Sequence, residues 1–129
     1  MQHANDQDPV KDESRAHSVA GAWRPILTDI VKALADGDCS LSRGVPGVAS
    51  VVRATAEQIR DYLDDYGETL VDLPEETWRS STSQWMGAHW DVLVDLWTLE
   101  SGESDLVLSL RVFEVEGGYQ FEIHSVYVP

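Results

Sequence analysis

The stretch that most constrains this chain is Gln84 to Thr98, Gln-Trp-Met-Gly-Ala-His-Trp-Asp-Val-Leu-Val-Asp-Leu-Trp-Thr. Within it Trp90, Val92, Val94 and Leu96 alternate with His89, Asp91, Leu93, Asp95 and Trp97. A period of two sends successive side chains to opposite faces of a strand. The first set is wholly apolar, so its face has to be covered. The second mixes carboxylates with Leu93 and Trp97, so its face can meet solvent or a partner. Such a division predicts the central strand of an antiparallel sheet with one face on the core.

The same period continues downstream as a meander. Glu100 to Asp105 reads as an acidic turn, and Leu106 to Val115 as the next strand. Its Leu106, Leu108, Leu110 and Val112 face inward, and Val107, Ser109, Arg111 and Phe113 face outward. Glu116-Gly117-Gly118 supplies a hairpin turn, where glycine takes the positive φ that such turns require. Tyr119 to Val128 is the last strand. Its Tyr119, Phe121, Ile123 and Tyr127 are assigned inward, and Gln120, Glu122 and His124 outward.

Upstream the period changes to that of helices. Trp23, Ile26, Leu27, Ile30, Val31 and Leu34 form one apolar stripe, which predicts a helix over 22–36 with Pro25 in its first turn and Gly37 as its stop. Asp38 to Arg53 is a connector with turn chemistry at Gly44, Pro46 and Gly47. It either packs through Val45, Val48, Val51 and Val52 or belongs to a binding surface. A second helix is predicted over 55–66, with Thr55-Ala-Glu-Gln58 as a capping box and Gly67 as the C-terminal cap. Ile59, Tyr62, Leu63 and Tyr66 form its buried stripe. Leu70, Val71 and Leu73 suggest a short strand, Pro74 to Thr77 a turn, and Trp78 to Gly87 a weak strand. The polar residues 1–21 are expected as a loosely packed tail, with His3 and His17 solvated. The division is therefore a tail, 1–21, and one domain, 22–129. The fold class is α+β, with two N-terminal helices packed on a mainly antiparallel sheet that ends in a three-stranded meander. The runner-up is a curved sheet with helices over its concave face, as in the cone-shaped nuclear-transport-factor-like proteins.

Charge narrows the function. The chain has 23 acidic and 9 basic residues, a formal net charge of −14. Nucleic acid and anionic membrane surfaces would be repelled, and a basic partner would be steered in. Cys39 is the single cysteine, so an intrachain disulfide scaffold is excluded. No apolar run approaches a membrane span, and the first residues lack the basic and apolar regions of a signal peptide. A cytoplasmic protein is expected.

No motif assigns catalysis. Asp91 and Asp95 share a strand face but lie roughly 13 Å apart at about 3.3 Å per residue, too far for a paired acid and base. A metal site would need His89, His124 and a carboxylate to converge, which the spacing does not enforce. No family signature surrounds Cys39, and no nucleophile elbow or phosphate loop is present. No cofactor, metal or catalytic residue is expected. Two acidic surfaces remain as partner-binding candidates. One is the outer sheet face, with Asp91, Asp95, Trp97 and Glu122. The other is the end of the second helix, where Asp61, Asp64, Asp65 and Glu68 recur at helical spacing. Like charges there oppose both one another and the negative end of the helix dipole, at roughly 0.3–1 kcal/mol each. An acidic stripe that works against its own helix suits a partner-facing role.

Several segments, Ile59-Arg60-Asp61-Tyr62-Leu63, Leu73-Pro74, Trp78, His89 to Thr98 and Ser104-Asp105-Leu106, resemble a family of small uncharacterised bacterial proteins. Some members resemble immunity proteins of contact-dependent growth-inhibition systems. The resemblance spans roughly Trp23 to Pro129, and its motifs are structural in kind. It implies a small, acidic, cytoplasmic, non-enzymatic protein that neutralises a basic toxin domain, and it transfers no site residue. The alternative is a small-molecule-binding protein or small enzyme of the cone fold, with Trp78, Trp85, Trp90 and Trp97 around a cavity. A third is a self-associating module using the last strand as an edge.

Overall fold

The computed structural model describes residues 7–129. In chain order they form β1 (His17–Ser18), α1 (Arg24–Ala35), α2 (Arg53–Tyr66), β2 (Thr82–Trp85), β3 (Trp90–Thr98), β4 (Gly102–Val115) and β5 (Gly118–Tyr127). Short 3-10 turns at Gly21–Trp23 and Glu75–Arg79 precede α1 and β2. The five strands make one antiparallel sheet in the order β1-β2-β3-β4-β5. The architecture is α+β, with both helices preceding β2 to β5.

Strand β3 obeys its sequence pattern. Trp90, Val92, Val94, Leu96 and Thr98 are buried, and the residues between them are half-buried or exposed. The register sets Val92 opposite Leu110 and Val94 opposite Leu108, so the core rows of β3 and β4 coincide. The buried residues of α1 and α2, among them Leu27, Ile30, Leu34 and Ile59, belong to the same hydrophobic cluster as these strands. At one end of the cluster the Trp23 ring meets Trp90, Tyr119 and Phe121 edge-on at 5.1, 5.4 and 5.9 Å. Edge-to-face stacking of this kind adds about 0.5–1.5 kcal/mol per pair beyond area burial.

Helix α1 forms as its stripe predicts, with Pro25 in the first turn and Gly37 at φ +89° after its end. Helix α2 begins two residues before Thr55, and no side chain caps its N-terminus. The expected capping box is therefore absent. Gln58 reaches instead to β5, where its Nε2 donates to the Val126 carbonyl at 2.8 Å. A tertiary partner outcompetes the local cap because the edge of β5 has backbone groups of its own to satisfy. Gly67 does cap α2: it lies at φ +79° and donates its N–H to the Leu63 carbonyl.

Further differences from the sequence expectation have local causes. His17 is half-buried, pairs with Asp12 at 2.9 Å and lies in β1 opposite Ser83. Val19 and Ala20 are buried, and the Val10 carbonyl accepts the indole N–H of Trp90 at 3.0 Å. The later part of the polar segment is thus pinned to the sheet, whereas His3 lies outside the described residues. In β5 a bulge breaks the register between Ser109 and Leu110, with Ser125 and Ile123 opposite them. The extra residue, His124, reverses the phase of the strand. Val126 is fully buried, and Tyr127, expected inside, is only half-buried. Residues 69–71 form no strand but extend the edge of β3, with Val71 N–H on the Trp97 carbonyl and Leu99 N–H on the Thr69 carbonyl. Next to them Thr77 Oγ1 donates to the Asp95 carbonyl at 2.6 Å, and Ser81 Oγ accepts the Asp95 N–H at 2.9 Å.

The outer edge of β5 is occupied as well. Phe121 exchanges backbone hydrogen bonds with Gly47 and Ala49 of the connector, Gln58 takes Val126, and Tyr62 Oη takes the Val128 N–H. The connector therefore packs, through half-buried Val48 and Val51, while Val52 points outward. Strand addition at β5 would have to displace these contacts.

Candidate functional site

Two surfaces carry the residues singled out by the sequence. The first is the sheet face turned away from the core. Register places Gln84, Asp91, Arg111 and Glu122 in one row across β2 to β5. Asp91 accepts a hydrogen bond from His89 at 3.0 Å and lies 3.8 Å from the Arg111 guanidinium. The His89 ring in turn rests on Phe113 at 5.3 Å. Among the described residues, the Asp91 side chain thus has partners within the fold, unlike that of the exposed Glu122 in the same row. Asp95 lies in a different row, opposite Val107, which is opposite Tyr127 in turn. Trp97 is half-buried opposite Glu103, with its indole N–H enclosed and unpaired. Glu122 is exposed. Along this face runs a groove of about 400 Å³ whose lining includes Thr82, Met86, Leu93, Arg111, His124 and Tyr127. His124 lies on this face as its alternation with Phe121 and Ile123 predicts, whereas Met86 was not expected there. The bulge at His124 changes the phase of the residues after it, so that Val126 rather than Ser125 turns to the core.

The second surface is the end of α2. Asp61, Asp64 and Asp65 are exposed, and among the described residues no basic side chain pairs with them. Glu68 behaves differently. Its carboxylate accepts the Thr98 hydroxyl at 2.7 Å and the Ser101 hydroxyl at 2.8 Å, tying the helix end to the turn between β3 and β4. Glu100 makes the reciprocal tie. It accepts the Thr69 N–H at 2.7 Å and the Thr69 hydroxyl at 2.8 Å, and these bonds hold its carboxyl below the usual range. Together the pair fixes the direction in which the helix end presents its three remaining carboxylates.

Other titratable groups have structural explanations. Asp38 folds its own loop. The Ser42 N–H and hydroxyl and the Arg43 N–H bond to its carboxylate and hold the pKa down at about 2. Burial pushes the Cys39 thiol up, which keeps it protonated and a poor nucleophile. Among the described residues no His, Cys, Asp and Glu side chains cluster in a way that could hold a metal ion, and no helix is long and apolar enough to cross a membrane.

The fold and these surfaces define a small α+β domain with a half-open antiparallel sheet and an acidic helix end. Residues 31–129 match the family described as a domain of unknown function (DUF7668), and the chain belongs to that family. Comparison with curated proteins and with solved structures finds no match.

Proposed function

We propose that this chain is a small acidic binding protein that docks a basic protein partner through the end of α2. The observation that carries this reading is the set of exposed, unpaired carboxylates Asp61, Asp64 and Asp65 at the negative end of the helix dipole. Their placement costs helix stability, and a cationic partner would offset that cost. The net charge of −14 would steer such a partner from a distance. A toxin domain with a cationic, nucleic-acid-binding surface fits this chemistry, and the chain would then act in the cytoplasm as its immunity protein, with the sheet row around Asp91 and Glu122 as a secondary contact.

The test is to titrate the product of the neighbouring reading frame against this chain from about 50 mM to about 500 mM salt, across which the Debye length contracts severalfold. Affinity should fall steeply with salt, and more gently after Asp61→Asn, Asp64→Asn and Asp65→Asn are combined. Binding that ignores ionic strength would exclude neutralisation by charge.

A second reading, a small-molecule-binding protein, is favoured by the groove of about 400 Å³ on the outer sheet face. That volume lies within the roughly 300–1,000 Å³ of ligand pockets. Trp23, Trp78 and Trp90 would not take part, because they are buried in the core cluster.

A further inference from the structure

The last turns of α2 carry Tyr62 and Tyr66, four residues apart and therefore neighbours on one helix face. With Asp65 and Val128 they line a notch of about 340 Å³. Each phenol is anchored at its tip. Tyr62 Oη accepts the Val128 N–H at 3.1 Å, and Tyr66 Oη accepts the Asp105 N–H at 3.2 Å. The rings are thus oriented before any ligand arrives, which reduces the ordering cost of binding. Their faces carry the negative part of the aromatic quadrupole and attract cations. Asp65 adds a full negative charge, and the helix C-terminus a partial one. No basic side chain lines the notch. Every contribution favours a cation and disfavours an anion.

We propose that this notch receives an arginine side chain of the basic partner. The guanidinium would pair with the Asp65 carboxylate, and its plane and alkyl stem would lie against the Tyr62 and Tyr66 rings. Arginine suits the notch better than lysine because its planar head is weakly hydrated and stacks on aromatic faces. The proposal rests on the reading of the chain as an acidic binding protein and names the anchor of that interaction.

The experiment uses a hexa-arginine peptide and the full chain at about 0.15 M salt, where charges beyond roughly 8 Å are screened. Affinity is measured by calorimetry, and the tyrosine ring resonances are followed by NMR. Asp65→Asn and Tyr66→Leu should each weaken binding by about threefold to tenfold. Tyr66→Phe keeps the ring and loses only the hydroxyl anchor on the Asp105 N–H, so it should weaken binding clearly less than Tyr66→Leu, which separates loss of the aromatic face from loss of the fold. Asp29→Asn removes an equal charge from the exposed face of α1 and should change affinity by less than about twofold. Ring shifts confined to Tyr62 and Tyr66 would support the notch. Equal losses from Asp29→Asn and Asp65→Asn would overturn it, while leaving general attraction by the acidic surface intact. A peptide that fails to bind even at about 10 mM salt, where the Debye length is roughly 30 Å, would overturn both the notch and the acidic-binding reading beneath it.

Discussion

The Gln58 amide serves both backbone groups of Val126, donating to its carbonyl at 2.8 Å and accepting its N–H at a longer 3.4 Å. It thereby joins the middle of α2 to the edge of the last strand. Gln58→Ala would leave a part-buried carbonyl without a partner, at a cost of about 1–2 kcal/mol. Thr55→Ala should change stability by less than about 0.5 kcal/mol, because Thr55 caps nothing in the fold. Urea unfolding of the two variants measures both effects, and a larger loss at Thr55 would restore the capping box. The pair also marks how far residue roles can be read locally. Thr55 and Gln58 have the spacing of a cap, but the partner that claims Gln58 lies 68 residues away. Tyr62 and Tyr66 fit an apolar stripe equally well as leucines would. Tyrosine in place of leucine is itself a signal, since its hydroxyl needs a partner when half-buried. The sequence alone could not say that those partners would be the backbones of Val128 and Asp105.

At the scale of elements, the strongest periodicities were the most legible. The alternation in β3 gathers Trp90, Val92, Val94 and Leu96 on one face, and the three- and four-residue spacing in α1 gathers Leu27, Ile30, Val31 and Leu34 on another. The weak elements were set by their neighbours. β1 spans two residues and exists because β2 offers an edge to pair with. The phase of β5 changes at His124 because a bulge inserts one residue into the ladder. Its trace in the sequence is the consecutive polar pair His124-Ser125, which sets apolar Ile123 and Val126 three residues apart rather than two. The acidic end of α2 was legible as spacing, but the engagement of Glu68 by Thr98 and Ser101 depends on a turn that is distant in sequence. The remaining carboxylates permit an element-level prediction. Asp64→Lys and Asp65→Lys should each stabilise the isolated chain by about 0.3–1 kcal/mol, because they relieve like-charge repulsion and complement the helix dipole. The same substitutions should weaken binding of the basic partner. Thermal melts and titrations of the same samples check the opposing signs. Loss of stability in either variant would mean that the carboxylates have a structural role within the fold.

Charge decides the behaviour of the whole molecule. The formal net charge of −14 resides in one small domain, and self-repulsion on that scale works against the compact state. Ion pairs such as Lys11–Glu114 and Arg43–Asp36 oppose the repulsion locally, but they are exposed, and pairs of that kind contribute about 0–1 kcal/mol each. Salt screens both effects, so the sign of its net effect shows which is larger. With 23 acidic and 9 basic residues, most carboxylates have no cation to pair with, and repulsion should dominate. Raising salt from about 10 mM to about 150 mM shortens the Debye length from roughly 30 Å to roughly 8 Å. The unfolding midpoint should therefore rise by several degrees, equivalent to about 1 kcal/mol for a domain of this size. A midpoint that falls with salt would place the ion pairs above the repulsion and remove the argument that the surface charge is a burden to the fold. Binding to a basic partner should respond in the opposite direction and weaken over the same range. Those opposite responses follow from one cause: carboxylates that repel one another in the free chain become complementary once a cationic surface lies against them.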